Sequence, residues 1–472
     1  MRIGFAEIDI TPPIGISKIG WLIDIKSGCV LDPLFARAAV FENAGSRIGF
    51  VQVDTLSIRR TQVAELRRRI EAEFGAEFGA EFGFPGANVM IAATHNHAGP
   101  AIADVGEAKT DAEYTKTFMD KCVRVFGAAL NAAQEAEVGF NHVFDFAVAS
   151  NRRVLMRDGT ARTHGTFDDP GALCLEGPID PEVAVLAARR KSGELIGCLL
   201  NYACHPTHHG PEPGLSAGYP GVLAVEMKRR GCPITLFLNG ACGNTHHINP
   251  LGGDVSKEQA GQMLAADAQR AIEGMAFAST AEIAAASTVL DAPFRQATTE
   301  EIAGSIRGAQ RFSDPGWYDR AMQDLLAEIS VRKTRPAEVQ ALRIGTTAWA
   351  AIPAEYFVEF GLRIKLAAHP RHALVVEAAN GMIGYVPTRD AFAHGGYETT
   401  FAPTSCMAPE TGDLLADAAV ALIKGLQAAC GPAGPGKENR DGTSAVHPGF
   451  AAPRHLVLHQ GVRRVYRSIS GA

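Results

Sequence analysis

The sequence has no C-x-x-C pair, no excess of basic residues and no apolar run long enough to cross a bilayer, and each absence removes a class of protein. Its nine cysteines are odd in number and scattered, so their spacing writes neither a disulfide framework nor a cysteine-rich zinc site. They read as reduced thiols, which places the expected location in the cytoplasm. Forty-five basic residues against 51 acidic ones give a net charge of −6, with no electrostatic case for nucleic acid or an anionic membrane. No apolar stretch approaches the ~20 residues that span a bilayer, which argues against stable membrane insertion. The opening residues, MRIGFAEIDITPP, lack the basic start and apolar core of a signal peptide.

What remains is an ordinary globular balance, 46% hydrophobic and 20% charged, over a length that suits one large domain or two smaller ones. RIGFAEIDI alternates as a strand, and AAVFENAGSRIGFVQVDTL reads as a hairpin turning at Asn43-Ala44-Gly45. A helix is expected from about Thr61, with Leu66 and Ile70 on one face, running into three copies of AEFG. Strands are expected at NVMIAA, EVGFNHVFDFAVA, VAVLAA, LIGCLLNYAC, PITLFLNG, 281–291, LRIGTTAWAA and ALVVEAAN. Helices are expected at about 111–134, 255–274, 298–330 and 411–428, with another starting at Pro353. Strands and helices interleave but with hairpins among them. The pattern implies an α/β (mixed α+β) fold of mixed sheets flanked by helices, a single large catalytic domain over 1–430. From 431 the text turns Pro/Gly-rich, a linker and tail over 431–472.

Several polar clusters follow apolar runs. ATHNHAGP (93–100) places His95 and His97 two apart after NVMIAA; on an extended strand end both rings would share one face. NYACHPTHHG sets His205, His208 and His209 in five residues of a chain with only 15 histidines. LNGACGNTHHINP crowds Asn244, Thr245, His246 and His247 after two glycines that permit close backbone approach. Cys204 and Cys242 fall within these stretches as small buried residues. AAIPAEYF puts Glu355 behind Pro353, near an expected helix N-terminus where an ionised carboxylate is favoured. VVEAANGMIGYVPT ends an apolar strand in Asn380, Gly381 and Tyr385. Each cluster alone has a plain reading: solvated histidines, a hydrogen-bonded turn, dipole compensation, a packed tyrosine. Histidine and carboxylate clustered at strand ends also suit a metal or a proton-transfer site.

Taken in order, THNHAGP, ACHPT, GACGN, IPAE and the Asn380-x4-Tyr385 spacing resemble the catalytic domain of the neutral ceramidases, over most of residues 1–428. FAEIDITPP, DPLFARAAVF, FVQVDTLS and ASNRR lend further support. The resemblance implies one zinc ion (Zn2+) held by His95, His205, Glu355 and Tyr385. It implies His97 at the substrate carbonyl, Arg152 as a positioning or charge-stabilising group supported by Asn151, and cleavage of an amide bond by metal-activated water. His97 or His246 would pass a proton to the leaving amine, and Arg152 with Tyr385 would stabilise the oxyanion.

The sequence departs from the family at three points. The family's serine near the metal is replaced: the turn reads GNTHHINP, with His246 near the serine's place, Asn244 where an aspartate stands, and Thr245 as the one hydroxyl. The family's C-terminal immunoglobulin-like domain has no counterpart in the residues after the last helix, and no secretion signal is expected. The partner expected is therefore a small-molecule amide or ester. The alternatives are a metal-dependent hydrolase or lyase acting on a polar or sugar-like molecule, for which the additional histidines could hold a second metal, and a catalytically silent metal-binding relative.

Overall fold

Alternating residues in the first 53 positions build the first sheet. In the computed structural model, which describes residues 1–75, 84–312 and 315–428, strands Arg2–Asp9, Phe35–Asn43 and Ser46–Val53 pair antiparallel. The last two are joined at Ala44 and Gly45, whose φ of 48° and 82° form the two-residue hairpin turn expected there. Val89–Ala93 adds in parallel to Ser46–Val53, and Gln134–Glu135 closes the other edge.

The second sheet has the order Thr235–Asn239, Leu195–Tyr202, Glu182–Arg189, Glu137–Phe144, Phe277–Ala278. The third has the order Ile283–Pro293, Thr334–Ile344, Thr347–Ala351, His372–Val376. Each sheet is antiparallel except for one parallel pair: Ser46–Val53 with Val89–Ala93, Leu195–Tyr202 with Thr235–Asn239, and Thr347–Ala351 with His372–Val376. The mixed α/β architecture is that expected from the interleaved pattern.

The three sheets share one apolar centre. Phe41 and Phe50 of the first, Leu186 and Leu199 of the second, and Leu342, Trp349 and Leu374 of the third pack together, all fully buried or nearly so. Helices cover the outer faces. Arg60–Phe74 and Ala112–Asn131 sit on the first sheet, Gly218–Arg229 and Lys257–Glu273 on the second, Val358–Ala367 and Thr411–Ala428 on the third. Their ends follow the sequence: Asp111 accepts from the Tyr114 N–H at 2.7 Å, and Ser256 with Gln259 forms a capping box. Arg60–Phe74 buries Val63, Leu66, Ile70 and Phe74, the expected stripe. The first AEFG copy ends this helix; the second and third copies lie outside the described residues, as do the linker and tail from 431. No described helix is long and apolar enough to cross a membrane.

Two local expectations are corrected. The helix expected at Pro353 begins at Val358; Glu355 and Tyr356 instead form a two-residue strand paired with Tyr385 and Val386. The Glu355 N–H is taken by the Gly384 carbonyl (3.0 Å) and the Tyr356 N–H by a Glu377 carboxylate oxygen (3.1 Å), so tertiary partners override the local helix start. The strand before His95 stops at Ala93, and His95 itself has φ 63°. The two histidines of ATHNHAGP thus lie in a loop, not on a strand end, yet their rings still meet edge to face with centroids 5.1 Å apart.

Candidate active site

Ligand sites in α/β folds gather beyond the carboxyl ends of parallel strands. Here one parallel pair from each sheet delivers its following loop to the same place. His95 follows Val89–Ala93, His205 follows Leu195–Tyr202, His246 follows Thr235–Asn239, Glu355 follows Thr347–Ala351, and Tyr385 lies beyond His372–Val376. Residues distant in the chain converge because three sheets point their parallel ends inward.

The convergence is tight. His95 Nε2 lies 3.0 Å from His205 Nε2, and Glu355 Oε2 lies 3.3 Å from the first and 3.7 Å from the second. His95 Nδ1 faces the Leu56 carbonyl at 2.9 Å and His205 Nδ1 the Cys242 carbonyl at 3.2 Å. A carbonyl only accepts, so both Nδ1 atoms carry the proton and, in neutral rings, both Nε2 lone pairs face each other. Glu355 Oε2 is buried and has no hydrogen-bond partner. Three electron-rich atoms around one point are stable only with a positive charge among them. Protonation follows the same logic. Burial works against charging His95, but the Glu355 carboxylate outweighs it and raises its pKa; burial and the His95 charge then push His205 well down. The donor set, two imidazoles and a carboxylate, is that of zinc and related ions. The fourth residue of the implied set, Tyr385, is Glu355's partner across the two-strand ladder; burial and then the Glu355 charge push its phenol well up.

Other candidates surround this point. His97 Nδ1 faces the Gly20 carbonyl at 2.9 Å, and its Nε2 is buried without a partner. Burial and the neighbouring His95 keep the ring neutral, its pKa well below the usual value. Gly20, at φ +128°, packs so close that a Cβ there would stand 2.7 Å from the His97 Cα. Arg152 is buried; it donates through Nε to Glu398 (2.8 Å) and through Nη2 to the Gly243 carbonyl (2.8 Å) and the Tyr385 hydroxyl (3.1 Å). Burial opposes its charge, but Tyr385 and Glu398 hold it protonated. Asn151 pairs with Thr245 in the two-strand ladder Ser150–Asn151 with Thr245–His246, its amide donates to the Pro178 carbonyl at 2.9 Å and its Oδ1 accepts from the Arg153 N–H at 3.1 Å.

His246 stands beside His205 with rings stacked at 6.0 Å, but both of its nitrogens are engaged. Nδ1 accepts from the Ile248 N–H (2.9 Å) and Nε2 meets Thr207 Oγ1 (2.5 Å). The Thr245 hydroxyl donates to the Ala203 carbonyl at 3.1 Å, and Asn244 ties Val358 and Glu359. Asn380 bonds the Ile91 N–H and Gln340, pinning the first strand pair to the third sheet.

A cavity of about 950 Å³ opens onto His97, Arg152, Glu355 and Tyr385, with His95 and His205 behind them. Trp21, Leu22, Leu56, Met382 and Ile383 give its lining apolar surface, and His164, His208, His246 and His247, whose rings touch in series, form a polar wall. Sequence reasoning passed over three residues that hold this site. Glu398 joins Arg152 to Arg153, Gly20 seats His97, and Glu377 accepts from the Cys242 N–H (2.8 Å), the Cys242 thiol (2.9 Å) and the Tyr356 N–H. Glu377 carried a signal, a carboxylate closing the apolar run LVV; Glu398 and Gly20 carried none.

A mixed three-sheet α/β fold with a buried His-His-Glu centre under a deep cavity defines an enzyme fold with a metal-competent site. No family model matches the sequence. The neutral ceramidase of Pseudomonas aeruginosa is 23% identical over 501 aligned positions, which cover 90% of this chain and 72% of that protein. The crystal structure of that neutral ceramidase superposes with a TM-score of 0.69 at 21% identity, covering 90% of this chain and 74% of that one. A ceramidase complexed with C2 gives 0.71 at 19% identity, covering 95% and 77%. The chain is a homologue of neutral ceramidase and carries its fold.

Proposed function

We propose that this protein is a metal-dependent hydrolase of an N-acyl amide bond, with His95, His205, Glu355 and Tyr385 as the residues that hold zinc. The observation that carries this reading is the opposition of two Nε2 lone pairs and an unpartnered buried carboxylate oxygen at one point. The likeness to neutral ceramidase supplies the bond type. A zinc ion at that point would act as a Lewis acid and lower the pKa of water towards ~7.

The chain's own residues do the rest. The His97 Nε2 lone pair, with Nδ1–H fixed on Gly20, is oriented to take a proton from the attacking water and return it to the departing nitrogen. Across the reaction water's oxygen joins the carbonyl carbon, the C–N bond breaks, and both of water's hydrogens are distributed between amine and acid. The guanidinium of Arg152, locked on Glu398, stabilises the charge that develops on the carbonyl oxygen, with the Tyr385 hydroxyl beside it. Thr245 is committed to a backbone carbonyl, so this chemistry runs through water without a hydroxyl nucleophile.

The second reading, a polar small molecule as substrate, draws on the four-histidine wall of the cavity. The test is elemental analysis of the purified protein beside Glu355→Ala, followed by a panel of N-acyl substrates from long-chain lipid amides to short polar ones. One equivalent of zinc fewer in the variant than in wild type, with hydrolysis of any panel member by wild type, supports the reading. Metal without amide hydrolysis overturns the reaction and favours the polar alternative.

A further inference from the structure

Among the described residues, a second group of metal-competent side chains lies on elements that do not line the cavity. His142 belongs to strand Glu137–Phe144, Glu182 opens strand Glu182–Arg189, and His372 opens strand His372–Val376 of the third sheet. The antiparallel register pairs His142 with Ala184 and Phe144 with Glu182, so His142 and Glu182 are diagonal neighbours on one face. None of the three lines the catalytic cavity.

We propose that His142, Glu182 and His372 form a second cation site of zinc type, clipping the second sheet to the third. Three donor atoms meet there. His142 Nδ1 lies 2.8 Å from Glu182 Oε1 and 3.4 Å from His372 Nε2, and His372 Nε2 bonds the same carboxylate oxygen. Ligands about 2.0–2.1 Å from a tetrahedral ion stand roughly 3.3 Å from one another; the two histidine nitrogens already stand at 3.4 Å, and the Glu182 oxygen, hydrogen-bonded to both, would move outward as an ion replaced those bonds.

The surroundings match what such a site needs. Lys365 Nζ takes the other Glu182 oxygen at 2.7 Å and Asp180 at 2.5 Å, which orients the carboxylate and leaves Oε1 to the imidazoles. Phe140 packs on the His372 ring at 4.7 Å and Phe144 on the His142 ring at 5.4 Å, fixing both rings. The His142 and His372 side chains are 35% and 29% exposed, enough for an ion to enter from water and keep a water ligand. Burial pushes Glu182 up, but the hydrogen bonds from both histidines outweigh it and hold the carboxyl ionised, as a ligand must be.

The site is distinguished from a plain His–Glu–His hydrogen-bond cluster by zinc titration of the full chain after chelator treatment. Wild type is compared with His142→Gln/His372→Gln and with His205→Ala/Glu355→Ala. Two equivalents in wild type and one in each variant is the result expected. One equivalent in wild type that disappears only in the glutamine variant sustains this site while overturning the catalytic one. Equal stoichiometry and affinity in wild type and the glutamine variant overturns the proposal. Should the double variant misfold, His142→Gln and His372→Gln alone should each weaken one equivalent at least about 10-fold, and unchanged affinity in both is equally decisive against it. Zinc should also raise the melting temperature of His205→Ala/Glu355→Ala, and should not raise it once His142→Gln/His372→Gln is added.

Discussion

His95 Nε2 and His205 Nε2 stand 3.0 Å apart while each ring's Nδ1 is spent on a backbone carbonyl. Neither ring can turn its lone pair elsewhere without breaking a buried hydrogen bond. The pair is therefore arranged for a cation, and Glu355 Oε2 completes the arrangement at 3.3 and 3.7 Å. Replacing His205 or Glu355 by Ala should remove one equivalent of zinc and hydrolysis together, read by elemental analysis and substrate turnover on one preparation. A zinc content equal to that of wild type in either variant would show that the ion sits on other residues.

His97 and Thr245 separate two mechanisms. His97 keeps an unpartnered Nε2 towards the cavity, whereas the Thr245 hydroxyl points back to Ala203. His97→Ala should keep zinc and lower kcat by ~10²–10⁴, the usual contribution of a positioned acid–base group. Thr245→Ala should leave kcat within a few-fold and cost about 1 kcal/mol of stability from one lost hydrogen bond. Complete inactivity of a folded Thr245→Ala would restore a hydroxyl nucleophile; loss of zinc in His97→Ala would make His97 a ligand.

Much of this site was legible in the sequence, because its residues ride on short motifs after apolar strands. His95, His205, Glu355 and Tyr385, which ride on separate motifs, lie together in the fold, and Arg152 reaches Tyr385. The hairpins and helices followed from alternation, turn residues and caps. What failed was local inference from single neighbours. Pro353 suggested a helix start, but Gly384 and Glu377 take the backbone donors of residues 355 and 356 into a strand pair. His246, read as one of two histidines that could pass a proton to the leaving amine, lines the cavity with its nitrogens on Ile248 and Thr207. Glu398 was invisible, since a carboxylate in YETTF has no periodic or motif context that betrays two arginines 246 and 245 residues earlier.

Glu377 supports the centre without facing the cavity. It fixes the Cys242 backbone, whose carbonyl orients His205, and the Tyr356 N–H next to Glu355. Burial raises its pKa to about 7. Glu377→Gln should weaken zinc affinity by 10–100-fold, as loss of an outer-layer partner does, with zinc still bound at saturation. Competition with a chromogenic chelator reads the change, and unaltered affinity would reduce Glu377 to a packing role.

Glu398 sets an acid limit on the fold around Arg152. It is fully buried, and burial alone would raise its pKa, but Arg152 and Arg153 with the Thr163 hydroxyl bring it down to about 2. An unfolded glutamate titrates near ~4.3, so the folded state binds fewer protons between those values and stability falls as pH drops through them. Above about pH 5 the contribution is complete, on the order of 3 kcal/mol from a shift of about two units; below about pH 2 it is gone. Removing the carboxylate at neutral pH leaves the buried Arg152 without a carboxylate partner, while Arg153 keeps Glu176, so Glu398→Ala should cost about 3–5 kcal/mol and reduce activity through a displaced Arg152. Glu398→Gln keeps the shape and should lose the acid-dependent part alone. Urea melts of wild type and Glu398→Gln across pH 3 to 7 read both effects. Their stability difference should shrink towards low pH, and a difference that stays constant over that range would remove the ion pair as its source.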